Sequence, residues 1–164
     1  MTTRSLWSSV AVACAAALFV NASPERVHAA ALAAVTCESG VGHGSWDLPD
    51  LGLNGTVDGD LFITNATAPR YHFHATLTDV PSPCLSCIEG DIQGVLDDGI
   101  GIGPDYIVTG HYFGSFFGGR GTFHAAVHDP TGATLKGRLR GRFNDPPSNV
   151  PHAGTFITAW TVCP

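Results

Sequence analysis

Gly137-Arg138-Leu139-Arg140-Gly141-Arg142-Phe143 alternates glycine and a large apolar residue on one parity, with a cation at each position between. The same alternation recurs at Gly55-x-Val57-x-Gly59-x-Leu61, Gly90-x-Ile92-x-Gly94-x-Leu96 and Gly110-x-Tyr112-x-Gly114-x-Phe116. A period of two places each set on one face of a β-strand, where glycine permits sharp bending and close packing. Four such segments specify a small, strongly curved sheet or a barrel. They define architecture and carry no chemistry.

Seven segments read as strands, at roughly 55–63, 70–79, 88–97, 105–116, 119–128, 133–143 and 153–163, and an eighth is placed at 41–48. Turn chemistry separates them: Asn65-Ala66-Thr67-Ala68-Pro69, Pro81-Ser82-Pro83, Asp97-Asp98-Gly99, Gly118-Gly119, Asp129-Pro130-Thr131-Gly132 and Asp145-Pro146-Pro147. Helical periodicity is absent after the first thirty residues. Strands joined by short connections predict an all-β, antiparallel up-and-down meander. Closing it into a barrel of 7–8 strands removes the exposed edges, and a β-sandwich is the alternative.

Arg4 precedes an uncharged, alanine-rich run from Leu6 to Val20, which reads as a secretory signal peptide over residues 1–29. Cleavage after Ala22 or after Ala29 satisfies the small-residue rule, and Pro24 disfavours the first. The apolar run is short for a bilayer, which needs roughly 20 residues, so the mature chain is expected to have no membrane span. Residues 30–164 then form a single all-β domain, secreted or periplasmic. One lysine against seven arginines, with abundant alanine and glycine, suggests a bacterial source.

Four cysteines follow the leader: Cys37, Cys84, Cys87 and Cys163. An even number in an exported chain points to disulfides. In a meander alternate connections lie at opposite ends, so Cys84 and Cys87 fall together while Cys37, ahead of every strand, is free to reach Cys163. The expected pairs are Cys37–Cys163 and Cys84–Cys87. Cys84-x-x-Cys87 lacks both a βαβ context for thiol redox and the second pair of a four-thiolate zinc site.

The apolar parity is assigned to the interior. It offers Tyr71, Phe73, Tyr112, Phe123 and Trp160 as candidate cavity residues for a small-molecule ligand. The outward parity is sorted by charge. Asp58, Asp60, Glu89 and Asp91 lie on two of the earlier strands, whereas Lys136, Arg138, Arg140 and Arg142 form a ladder on 133–143, joined by Arg120, His124 and His128 of the preceding strand. Residues 31–105 hold eleven acids against one base, Arg70, and residues 106–164 hold two acids against five bases. Arginines on a rigid strand suit bidentate binding of carboxylate, sulfate or phosphate. The formal net charge of −6 and the lack of aromatics among the arginines exclude nucleic acid as a partner. A basic strand of one protomer meeting the acidic strands of another would make a homo-oligomer.

His72-x-His74, with His111 on the same outward parity, is a candidate divalent-metal site. Cupin-type barrels add a glutamate shortly after such a pair. Ala75 to Asp79 follow here, so no cofactor is expected beyond a minor metal reading. No serine or cysteine is spaced with histidine and acid as a nucleophile would require. The chain is similar in general pattern to small barrels of the avidin, lipocalin and allene oxide cyclase kinds, with no motif of any matched residue by residue. The expected function is an exported binding module using the barrel cavity or the basic hairpin face. The alternatives are a cavity-based isomerase- or cyclase-like enzyme, a His-dependent metal site, and a self-associating structural protein.

Overall fold

The computed structural model describes residues 36–48, 54–80, 84, 87–115, 120–144 and 152–164. The expected leader 1–29 and the turns at 81–83, 118–119 and 145–147 lie outside the described residues. Eight strands follow in chain order: β1 (Glu38–Leu48), β2 (Asn54–Ile63), β3 (Tyr71–Asp79), β4 (Cys87–Asp97), β5 (Tyr106–Ser115), β6 (Arg120–His128), β7 (Leu135–Asn144) and β8 (His152–Val162). Each pairs antiparallel with the next, and β8 returns to β1 through eleven paired residues, closing the barrel. The meander is thus an eight-stranded barrel. The segment expected at 41–48 is a full strand that starts three residues earlier and forms the seam.

The interior is built from the alternating parity. Tyr71, Phe73, Ala75 and Leu77 of β3 are buried while His72, His74, Thr76 and Thr78 between them face solvent. Inward glycines seat aromatic rings from other strands. A Cβ on Gly141 would strike the Phe123 ring, one on Gly121 the Phe143 ring, one on Gly59 the Phe156 ring and one on Gly90 the Tyr112 phenol. Small positions facing large ones fill the barrel. Edge-to-face pairs then link the rings, Phe73–Phe156 at 6.1 Å, Phe123–Phe156 at 5.9 Å and Tyr71–Trp160 at 5.6 Å. Trp160 lies on the inward face of β8 with Phe156, Thr158 and Val162, and its indole N–H donates to the carbonyls of Val41 and Phe62.

The expected disulfides are both present, Cys37–Cys163 and Cys84–Cys87. The first joins the residue ahead of β1 to the residue after β8 and clips the seam. No helix of the described residues is long and apolar enough to cross a membrane. At the β6–β7 turn the Asp129 carboxylate accepts hydrogen bonds from the Thr131 hydroxyl and the Ala133 amide, and hydrogen bonding, chiefly by the side chains of Thr131 and then Thr134, holds its pKa well below the ordinary value. Gly132 completes the turn with φ of 77°.

Candidate functional site

The cations expected to act together do share one outer wall. Arg140 of β7 lies opposite His124 of β6, Arg142 opposite Thr122, Arg138 opposite Ala126, and Arg120 opposite Asn144. His124 in turn faces His111 of β5, which faces Asp91 of β4. One lateral row therefore reads carboxylate, imidazole, imidazole, guanidinium. Arg138, Arg140 and Arg142 are all exposed, and on a regular strand their Cα atoms follow at intervals of about 6–7 Å.

Lys136 and His128 depart from the regular ladder. The β6–β7 register shifts at Val127/His128, so that His128 faces Leu135 and Lys136 is the extra residue of a bulge. Lys136 is half-buried, its carbonyl accepts the Cys163 amide, and His128 Nε2 lies 3.5 Å from the Thr109 hydroxyl. The cationic row consequently centres on three arginines, Arg138, Arg140 and Arg142, with His124 beside them and Arg120 at one end.

What distinguishes this wall is where the carboxylates have gone. Asp60 lies 2.6 Å from His72 Nδ1, Asp58 3.4 Å from His74 Nδ1 and Asp91 2.5 Å from His111 Nδ1, each pair directly across neighbouring strands. Arg70, the single base of the acidic half, donates to Glu38 at 3.0 Å and to Asp98 at 3.2 Å and stacks 4.8 Å above the Tyr71 ring. The bond to Glu38 is the main reason its pKa is raised. By contrast, among the described residues no carboxylate lies within ion-pairing distance of Arg120, Lys136, Arg138, Arg140 or Arg142. Among the described residues the charges of the two halves have not cancelled.

The expected metal histidines are not gathered around one point. His72 and His74 sit on β3 and His111 on β5, each engaged by its own aspartate. Among the described residues, the group of three ligand atoms within 4.8 Å of one another is instead Asp97, Asp98 and Asp105, at the β4–β5 connection. Reading Asp97-Asp98-Gly99 only as a turn missed this cluster. Its oxygens are engaged by the protein: Asp105 accepts the Asp98 amide at 2.6 Å, Asp97 the Gly99 amide at 2.7 Å and Asp98 the Ile100 amide at 2.8 Å.

Of the candidate cavity residues, Phe73, Tyr112 and Phe123 line an apolar void of about 30 Å³ with Trp46, Phe143 and Phe156, whereas Tyr71 and Trp160 do not. That volume is an order of magnitude below the roughly 300–1,000 Å³ of ligand pockets. The Tyr112 hydroxyl is buried without a hydrogen-bond partner among the described residues, and desolvation raises its pKa. A buried hydroxyl with no partner costs about 1–3 kcal/mol. Tyr112→Phe should accordingly raise the stability of the protein by about 1 kcal/mol in urea denaturation. A fall in midpoint would mean that the hydroxyl holds a partner in solution.

The fold and wall together describe a small closed meander barrel with a packed interior and a cationic side. Compared with protein families, with curated proteins and with solved structures, the chain matches none.

Proposed function

We propose that this protein is an exported binding module whose β6–β7 outer wall holds a ligand bearing several anionic groups. The observation that carries the reading is the set of unpaired cations. Three arginines in consecutive outward positions repel one another, and among the described residues the acids that form ion pairs, Glu38, Asp58, Asp60, Asp91 and Asp98, do so with histidines of other strands and with Arg70. A bound polyanion supplies the missing counter-charge. Guanidinium groups suit it, since each can meet a carboxylate, sulfate or phosphate with two parallel hydrogen bonds. His124, opposite Arg140, adds a further donor to the same row. The small interior void supports a ligand on the wall over one inside the barrel. Export is supported by the disulfides, which persist in oxidising compartments.

Retention of the mature chain on immobilised dextran sulfate tests this. The native protein is expected to bind at low ionic strength and to elute with salt. The Arg138→Glu, Arg140→Glu double variant should pass through unretained while keeping its circular dichroism, because both side chains are exposed. Absence of retention by the native protein at low salt would sink the proposal.

A further inference from the structure

The wall beyond the arginines is apolar rather than charged. Across the β7–β8 register Arg142 faces Ile157 and Arg140 faces Ala159. Across β8–β1 Ile157 faces His43 and Ala159 faces Val41, which on its other side faces Phe62 of β2. Ile157 is 64 % exposed and Val41 59 % exposed, and Phe62 stacks on the His43 ring at 5.1 Å. Between Thr155 and Thr161 the outward side of β8 bears no charge at all, and neither does β1 from Ser39 to Ser45, His43 being counted as neutral. An exposed apolar band thus runs alongside the arginine row, one strand away.

We infer that the side of the barrel formed by β7, β8 and β1 docks on the surface of an anionic lipid bilayer. Arg138, Arg140 and Arg142 meet the headgroup charge, and Ile157 and Val41 enter the interfacial zone. The inference rests on the anion-binding reading and names what carries the anion. A water-soluble polyanion has use for the guanidinium groups but none for the isoleucine and valine beside them. A membrane surface engages both, since charge attracts basic side chains and burial of apolar groups at the headgroup boundary adds to the binding. Asp47 lies towards the end of β1, and the acids of the adjoining β2, Asp58 and Asp60, sit against His74 and His72; a further group of acids lies on the far side. In a closed eight-stranded meander β4 lies across the barrel from β8, and β4 carries Glu89, Asp91 and Asp97 on its outward parity. Docking through β8 turns those acids away from the negative surface.

Co-sedimentation with vesicles decides the matter. The mature chain should bind vesicles of phosphatidylcholine and phosphatidylglycerol in equal parts, and should not bind phosphatidylcholine alone. The Arg138→Glu, Arg140→Glu variant should lose about thirtyfold or more in partitioning and fail on dextran sulfate as well. Ile157→Asn with Val41→Asn, which add no charge beside Arg142, should lose about tenfold on vesicles yet keep full retention on dextran sulfate. Ile157→Thr with Val41→Thr, which preserves strand propensity, should show a smaller loss in the same direction. Retention on dextran sulfate without vesicle binding, or vesicle binding that the Ile157 and Val41 variants leave unchanged, overturns the lipid inference and leaves a soluble polyanion as the ligand. Binding to neither probe fails the anion reading itself.

Discussion

Gly137→Val is expected to abolish the folded barrel, and Gly40→Val to do the same. A Cβ built on Gly137 falls on the carbonyl oxygen of Thr161, and one on Gly40 falls on the carbonyl oxygen of Phe62, in both cases nearer than real atoms approach. The obstacles are backbone atoms of paired strands, so no rotamer change relieves them. Gly137 pairs with Val162 and Gly40 with Trp160, which puts the two sites on the flanks of β8 beside the seam. Relief would require separating β7 from β8 at Gly137 and β1 from β2 at Gly40, and with them the ladders that close the barrel. Overpacking in a core that can adjust costs about 1–3 kcal/mol. Where the backbone itself must move, a loss above about 4 kcal/mol is expected. Urea denaturation followed by tryptophan fluorescence reads this directly, because Trp46 and Trp160 are both buried. Thr161→Ala, on the same strand but without a glycine beneath it, should shift stability by no more than about 0.5 kcal/mol. A Gly137→Val protein with a native denaturation midpoint would show that the inward glycines are not what permits closure.

Loss of the seam disulfide should be nearly as severe. Cys37 and Cys163 are 126 residues apart in sequence, and their bond encloses every strand. In the chain-entropy account such a cross-link stabilises by about 5 kcal/mol, whereas the Cys84–Cys87 link, closing only three residues, contributes about 2 kcal/mol. The difference has a structural meaning. A meander acquires its neighbouring hairpins locally, but pairing β8 with β1 joins the two ends of the domain and carries the largest loop-closure cost. The Cys37–Cys163 bond removes that cost from folding. Cys37→Ser with Cys163→Ser should lower the denaturation free energy by more than twice the loss seen for Cys84→Ser with Cys87→Ser. Equal losses from the two double variants would mean that the seam is held by its hydrogen bonds and core alone.

The sequence by itself determined the strand content, the interior parity and the disulfide pairing, because each is a local or topological property. Alternation of Gly137, Leu139, Gly141 and Phe143 with arginines is readable without knowing any partner. The end-to-end geometry of a meander alone selects Cys163 for Cys37. The charge segregation was equally plain, since Arg138, Arg140 and Arg142 share a parity on any regular strand. Only the tertiary structure decided whether the barrel was hollow. Gly141 is a space in sequence and becomes the seat of the Phe123 ring only once β6 and β7 are in register. It also decided which charges cancel. Asp58, Asp60 and Asp91 are twelve or more residues from His74, His72 and His111, and cross-strand register places each directly opposite its imidazole. The β6–β7 bulge, which takes Lys136 out of the row, has no marker in the alternation, and Asp105 joins Asp97 and Asp98 only where the β4–β5 connection folds back. Period and parity are properties of one strand; register belongs to a pair, and the filled interior and the unpaired arginine row are consequences of register.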